Sequence, residues 1–118
     1  MATARAHMVP AMMPARKTWV EIRRSANEVG VTSKHVFLRK SEGDEVEWFS
    51  QGAAYTVLFD TEKGSPFADN EFHVSKQGSA GSGPIVVTPK SQNGESYKYS
   101  ILDANKKKVV DPDVIIRP

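Results

Sequence analysis

The chain of 118 residues has no cysteine. A disulfide framework, thiolate metal ligands and a cysteine nucleophile are therefore excluded. A reducing compartment fits that composition, and the cytoplasm is the expected location. No apolar run approaches the ~20 residues that span a bilayer, so no membrane partner is expected. Residues 1–17, MATARAHMVPAMMPARK, lack the continuous apolar core of a secretory signal. One-signed charge is also missing. Sixteen Lys and Arg against fourteen Asp and Glu leave a net charge of +2, with the signs interspersed. A nucleic-acid partner, which selects a concentrated basic face, is not expected. Helical periodicity is absent, as are a phosphate-loop motif and a nucleophile elbow.

What is present is alternation. Asp44 to Asp60, DEVEWFSQGAAYTVLFD, reads as two strands with a turn at Gln51-Gly52-Ala53. Val46 and Trp48 share one face of the first strand, opposite Glu45, Glu47 and Phe49. Tyr55, Val57 and Phe59 share a face of the second. Period two with β-branched and aromatic residues marks half-buried strands, and this pair is expected at the centre of a sandwich.

Taken in order, residues 1–17 form a tail interrupted by Pro10 and Pro14. It reads as a mobile terminus, a vector-derived junction around Ala6-His7-Met8, or an arm docking through Met8, Val9, Met12 and Met13, whose flexible side chains suit apolar grooves. The domain proper is expected over 18–118. Thr18 to Arg24 makes a strand with Val20 and Ile22 inward, Ser25 to Gly30 a polar connection, and Val31 to Arg39 a strand region with Val36 and Leu38 inward. TEKGSPFADN after Asp60 is a loop anchored by Phe67. Glu71 to Val74 is a short strand. SKQGSAGSG reads as an exposed, mobile loop. Pro84 to Thr88 reads as a compact strand. Ser96 to Leu102 alternates with Tyr97, Tyr99 and Ile101 on one face. Asp103-Ala104-Asn105 turns into Lys106–Lys108 and a Val109-Val110 strand, and Val114 to Arg117 closes the sheet. Short strands with turn signals between them make an all-β, Greek-key sandwich of about eight strands.

The central residues resemble the cupredoxin family. Asp44-x-Val46-x-Trp48 and Tyr55-Thr56-Val57-Leu58-Phe59-Asp60 stand where plastocyanin-like members carry paired strands of this kind, and Gly94 to Tyr99 loosely matches the strand before the family's ligand loop. The resemblance implies an eight-stranded sandwich over roughly 18–117. It does not carry the family's copper. Blue copper takes two imidazoles and a thiolate, usually with a distant Met. Tyr55 stands at the first histidine position, and with Tyr97 and Tyr99 inward Ile101 stands at the cysteine position. No metal or other cofactor is expected.

The remaining features are local. His7, His35 and His73 lie apart and form no ligand cluster. The Lys106-Lys107-Lys108 run is an anion contact or a solvated hairpin that discourages edge pairing. Glu42, Asp44, Glu45 and Glu47 read as a solvated acidic face. Trp19 and Phe49 fall opposite the core residues and mark a contact surface if exposed. The expected role is a non-catalytic module for protein–protein contact or self-assembly, with Met8, Val9, Met12, Met13, Trp19 and Phe49 as contact residues. The alternative is a small-ligand or glycan-binding domain using end loops with Tyr55, Phe67, Lys106, Lys107 and Lys108.

Overall fold

The computed structural model describes residues 16–25, 28–105 and 108–118. Ten strands form two packed sheets. Strand β1 (Arg16–Ser25) runs antiparallel to β2 (Glu28–Val31) and parallel to β4 (Asp44–Ser50), and β7 (Ser79–Gly81) adds antiparallel to β4. The second sheet has the order β3 (His35–Arg39), β10 (Asp113–Arg117), β8 (Glu95–Leu102), β5 (Tyr55–Phe59), β6 (Glu71–Val74). Strand β9 (Lys108–Val110) also borders β8. The chain changes sheet on entering β3, β4, β5, β7 and β8, so many neighbours in sequence lie in opposite layers, as in Greek-key sandwiches. Among the described residues the only helical element is a 3-10 turn at Lys40–Glu42, closed by Gly43 in the left-handed region at φ 68. No helix there is long and apolar enough to cross a membrane.

The alternating faces meet as expected. Val20, Ile22, Val46 and Trp48 from the four-stranded sheet pack against Val57, Phe59, Tyr99 and Ile101 from the other, all fully buried. Trp48 is the hub, with Phe59, Phe67, Phe72 and Tyr99 rings centred 5.1–6.5 Å away. Edge-to-face rings are worth about 0.5–1.5 kcal/mol each beyond their buried area. The segments 44–50 and 55–59 therefore do centre the core, but across it: they belong to different sheets rather than lying side by side. Ser50 enables the crossing, its hydroxyl donating to Ala53 O at 2.7 Å and accepting from Gly52 N–H at 3.3 Å.

Three expectations about connections need correction. Ser25 to Gly30 is not simply a link, because Glu28–Val31 pairs with β1 and tucks Val29 and Val31 against the core. SKQGSAGSG is not a free loop. Ser79–Gly81 pairs with Glu47–Phe49, and a Cβ at Gly81 would crowd the buried Glu47 carboxylate, 2.8 Å from Oε1. Pro84 to Thr88 is not a strand. It contributes one bridge, Phe67 to Ile85, burying Ile85 and leaving Val86 exposed. Pro84 and Pro89 withhold two donors that a ladder would need. With β2 and β7 included, the count is ten rather than about eight. The sheet also starts at Arg16, ahead of Thr18.

The acidic run is only partly a solvated face. Glu47, at 8% exposure, is buried beside Lys17, whose Nζ donates to Oε1 at 3.1 Å. Arg16 pairs with Glu42, and its Nε lies 3.6 Å from Asp44 Oδ1.

Candidate functional site

Odd-numbered residues of β1 and β4 point away from the core, which sets Trp19 beside Phe49 on the outer face of the four-stranded sheet. Their rings meet edge to face at 5.8 Å and 76°. Phe49 is half-buried, while Trp19 remains 55% exposed. Two turns extend this face into a groove of about 560 Å³ lined by Trp19, Phe49, Ser50, Gln51, Gln77, Gly78 and Ser79. That volume lies within the ~300–1,000 Å³ range of small-molecule sites.

The turns are tied together. Ser50 N–H donates to Gly78 O at 3.0 Å, joining the end of β4 to the approach to β7. Gly78 N–H donates to Ser75 O at 2.8 Å and closes the second turn. A Cβ at position 78 would meet Ser75 Oγ at 2.1 Å in its present rotamer and stand 3.2 Å from Ser75 O, so the turn is closely packed there. The left-handed conformation falls instead on Gln77, at φ 56, the only non-glycine residue with positive φ among those described. Such a conformation costs about 1 kcal/mol or more and concentrates at functional sites.

No charged side chain lines this groove, although a quarter of the chain is charged. Two charged pairs lie on the same face of the sheet: Arg23 Nε with Glu21 at 2.9 Å and Lys17 with Glu47 at 3.1 Å. The lining thus offers two rings, two carboxamides and the Ser79 hydroxyl with no charged side chain among them, the buried Ser50 hydroxyl being engaged within its own turn.

Comparison with protein-family models and with curated proteins finds no match. The site's chemistry therefore rests on its own residues.

The other candidate residues fare differently. Met8, Val9, Met12 and Met13 lie outside the described residues, as do His7, Lys106 and Lys107. Phe67 is 3% exposed and Tyr55 4%, so neither offers its ring to a ligand from an end loop. Alternation in β5 turns Tyr55 inward, while Phe67 fills the core beside Trp48. Tyr55 borders a shallow hollow shared with Thr56, His73 and Asp103. Lys108 is exposed and 3.4 Å from Asp111. Tyr55, Phe67 and Lys108 occupy separate settings and form no common site. At the position where the cupredoxin resemblance would require a thiolate, Ile101 is fully buried. Tyr97 and Tyr99 face inward with it, leaving Lys98 exposed outside. Burial pushes the Tyr99 phenol up to about 12, against a smaller opposing influence from the Trp48 indole.

One polar cluster has the composition of a hydrolytic triad without its order. On the outer face of the six-stranded sheet, Asp113 accepts from Ser96 Oγ at 2.7 Å and meets His35 Nδ1 at 2.6 Å. The carboxylate sits between the other two, so the imidazole is not placed to take the serine proton. Partial burial pushes Asp113 up, but hydrogen bonds from Ser96 and His35, with the charges of His35 and Lys98, outweigh it and hold the carboxyl below its ordinary value. Among the described residues no three His, Asp or Glu side chains converge as a metal site. His73 Nε2 instead faces Glu71 at 2.9 Å.

Trp19 and Phe49 were legible from alternation, since both fall opposite the core face. Gln51, Gln77 and Ser79 were not. They sit in turn-rich segments whose composition indicates loop, and no sequence signal brings residue 51 to residue 77.

Proposed function

We propose that the chain is a non-catalytic binding module whose contact surface is the Trp19–Phe49 groove. The observation that carries this reading is the exposed indole of Trp19, held in a defined orientation at the mouth of a groove built from two tethered turns. Large exposed aromatics in well-formed concavities are characteristic contact anchors. Among the described residues, Phe37 and Val86 are the other large exposed apolar side chains. Phe37 is capped by the Arg117 guanidinium at 4.5 Å, and Val86 stands beyond the groove. The central position of Asp113 between Ser96 and His35 is not the relay order of a hydrolytic triad.

A cupredoxin-like origin without copper belongs to the same reading. It is supported by the two-sheet sandwich and by Tyr55 and Ile101 at the ligand positions. The lack of cysteine supports a reducing compartment, the cytoplasm.

The test is independent of any particular ligand. In amide NMR titrations of the full chain with a mixed library of neutral and charged fragments, shift changes should cluster at residues 19, 49–51 and 77–79. Hits confined to the Tyr55–His73 hollow, or no saturable hits, would refute the assignment.

A further inference from the structure

Resting on that reading of the groove, we infer that its ligand is an uncharged carbohydrate, a pyranose unit of a neutral glycan. A pyranose has a C–H face that stacks on an indole and a rim of hydroxyls that both donate and accept. The groove supplies the complement. Trp19 offers an aromatic surface, and Phe49 at 5.8 Å braces it from one side. Gln51 and Gln77 offer both a donor and an acceptor at each amide, and Ser79 adds a hydroxyl from the edge strand. Amides and hydroxyls match a partner whose own groups are hydroxyls and carry no charge.

The electrostatics discriminate against other classes. A nucleic acid would also stack a base on Trp19, but its phosphates call for Lys or Arg along the path, and the lining has neither. An anionic sugar or an acidic peptide meets the same lack. Gln77 gives a second observation. Its φ of 56 is a position where glycine or asparagine would be easier, and the strain holds a carboxamide at the groove's rim. A turn selected only for chain reversal has no need of that side chain.

The experiment uses the full chain and soluble glucan, xylan, mannan and chitin oligosaccharides as neutral probes, with oligogalacturonate, heparin and single-stranded oligo-dT as charged controls. Binding is read by calorimetry and by tryptophan emission. Saturable binding of a neutral probe is expected, with a blue shift of the accessible tryptophan and reduced quenching by acrylamide. Trp19→Ala should weaken it about tenfold or more, as truncation of a buried contact aromatic does. Gln77→Gly, which relieves the backbone strain while removing the amide, should weaken binding without lowering stability. Trp19→Tyr, which keeps a ring, covers the case in which the alanine variant fails to fold, and should retain part of the affinity. Phe37→Ala, on the opposite sheet, should bind as the parent does. Preference for oligogalacturonate, heparin or oligo-dT overturns the inference, as does neutral-glycan binding that Trp19→Ala leaves unchanged. Fragment shifts clustering in the groove with every neutral glycan silent would overturn the sugar and leave the binding surface standing.

Discussion

Ser82→Ala tests whether the glycine-rich segment before Pro84 is a working edge of the sheet. Ser82 lies just beyond β7 and is itself buried. Its N–H donates to Val46 O at 2.8 Å, and its hydroxyl accepts the Val46 N–H at 3.0 Å while donating to Gly83 O at 2.9 Å. One serine therefore satisfies both backbone groups of a fully buried valine. Alanine keeps the backbone bond but leaves the Val46 N–H without an acceptor where water has little access. An unsatisfied buried donor costs about 1–3 kcal/mol, whereas half-buried Gly83 can recover a bond from solvent. The expected loss is about 2 kcal/mol, a substantial share of the ~5–15 kcal/mol that holds a small domain. Urea unfolding should show the midpoint falling by roughly 1 M at unchanged slope, taking a slope near 2 kcal/mol per M. Ser79→Ala, which removes an exposed hydroxyl, should stay within about 0.5 kcal/mol. Hydrogen exchange should show the Val46 amide losing protection in the Ser82 variant alone. If the segment were the unpaired loop that its composition suggests, Ser82→Ala would be as silent as Ser79→Ala. That result would refute the pairing.

Gly94→Ala should destabilise by roughly 2–4 kcal/mol, because φ is +100 and the new Cβ would stand 2.7 Å from Ile115 Cγ2 and 3.1 Å from Ile116 O; a loss below about 1 kcal/mol in urea would contradict the packing of the turn on β10. Asp113 is held below its ordinary carboxyl value, so it binds a proton more readily unfolded than folded. Its stabilisation is complete above the unfolded value and disappears as pH falls through the folded one. Urea midpoints followed from neutral to acid pH should therefore show the gap between parent and Asp113→Asn narrowing with acidification; a constant gap would refute the assignment. Acrylamide quenching should resolve two tryptophans, an accessible Trp19 and a shielded Trp48, and Trp19→Phe should delete only the accessible component.

Much of this fold is legible because its longest strands obey a strict period of two. In Glu95–Leu102, Tyr97, Tyr99 and Ile101 declare one face and Lys98 the other, and a reversed pleat would bury that lysine. Sheet membership is not legible in the same way. The residues of β4 and β5 are equally apolar on their inner faces, and nothing in Gln51-Gly52-Ala53 states that the chain crosses to the other layer. Edge strands are hidden for a related reason. Ser79–Gly81 buries no large side chain, so hydrophobic periodicity has nothing to report, and its strand character comes from the backbone of β4. Glu47 shows the converse: its outward phase is read correctly, yet Lys17 and Gly81 cover it. Half of the candidate site follows from the off-face aromatics, and the other half depends on a tertiary tie between Ser50 and Gly78.

The placement of β10 has a consequence for how the polypeptide is made. This strand inserts between β3 and β8, pairing Asp113 with His35 across 78 residues. At ~5–20 residues per second, the ribosome needs roughly 4–16 s to deliver β10 after β3 has been synthesised. Throughout that interval β3 lacks its only ladder partner among the described strands, and Phe37 lacks the guanidinium that later covers it. The nascent chain must therefore carry a waiting strand, HVFLR, whose protection comes from late synthesis rather than local folding. Substitutions that lengthen the wait, or make that strand stickier, would lower the yield of folded protein without altering a single contact in the finished molecule.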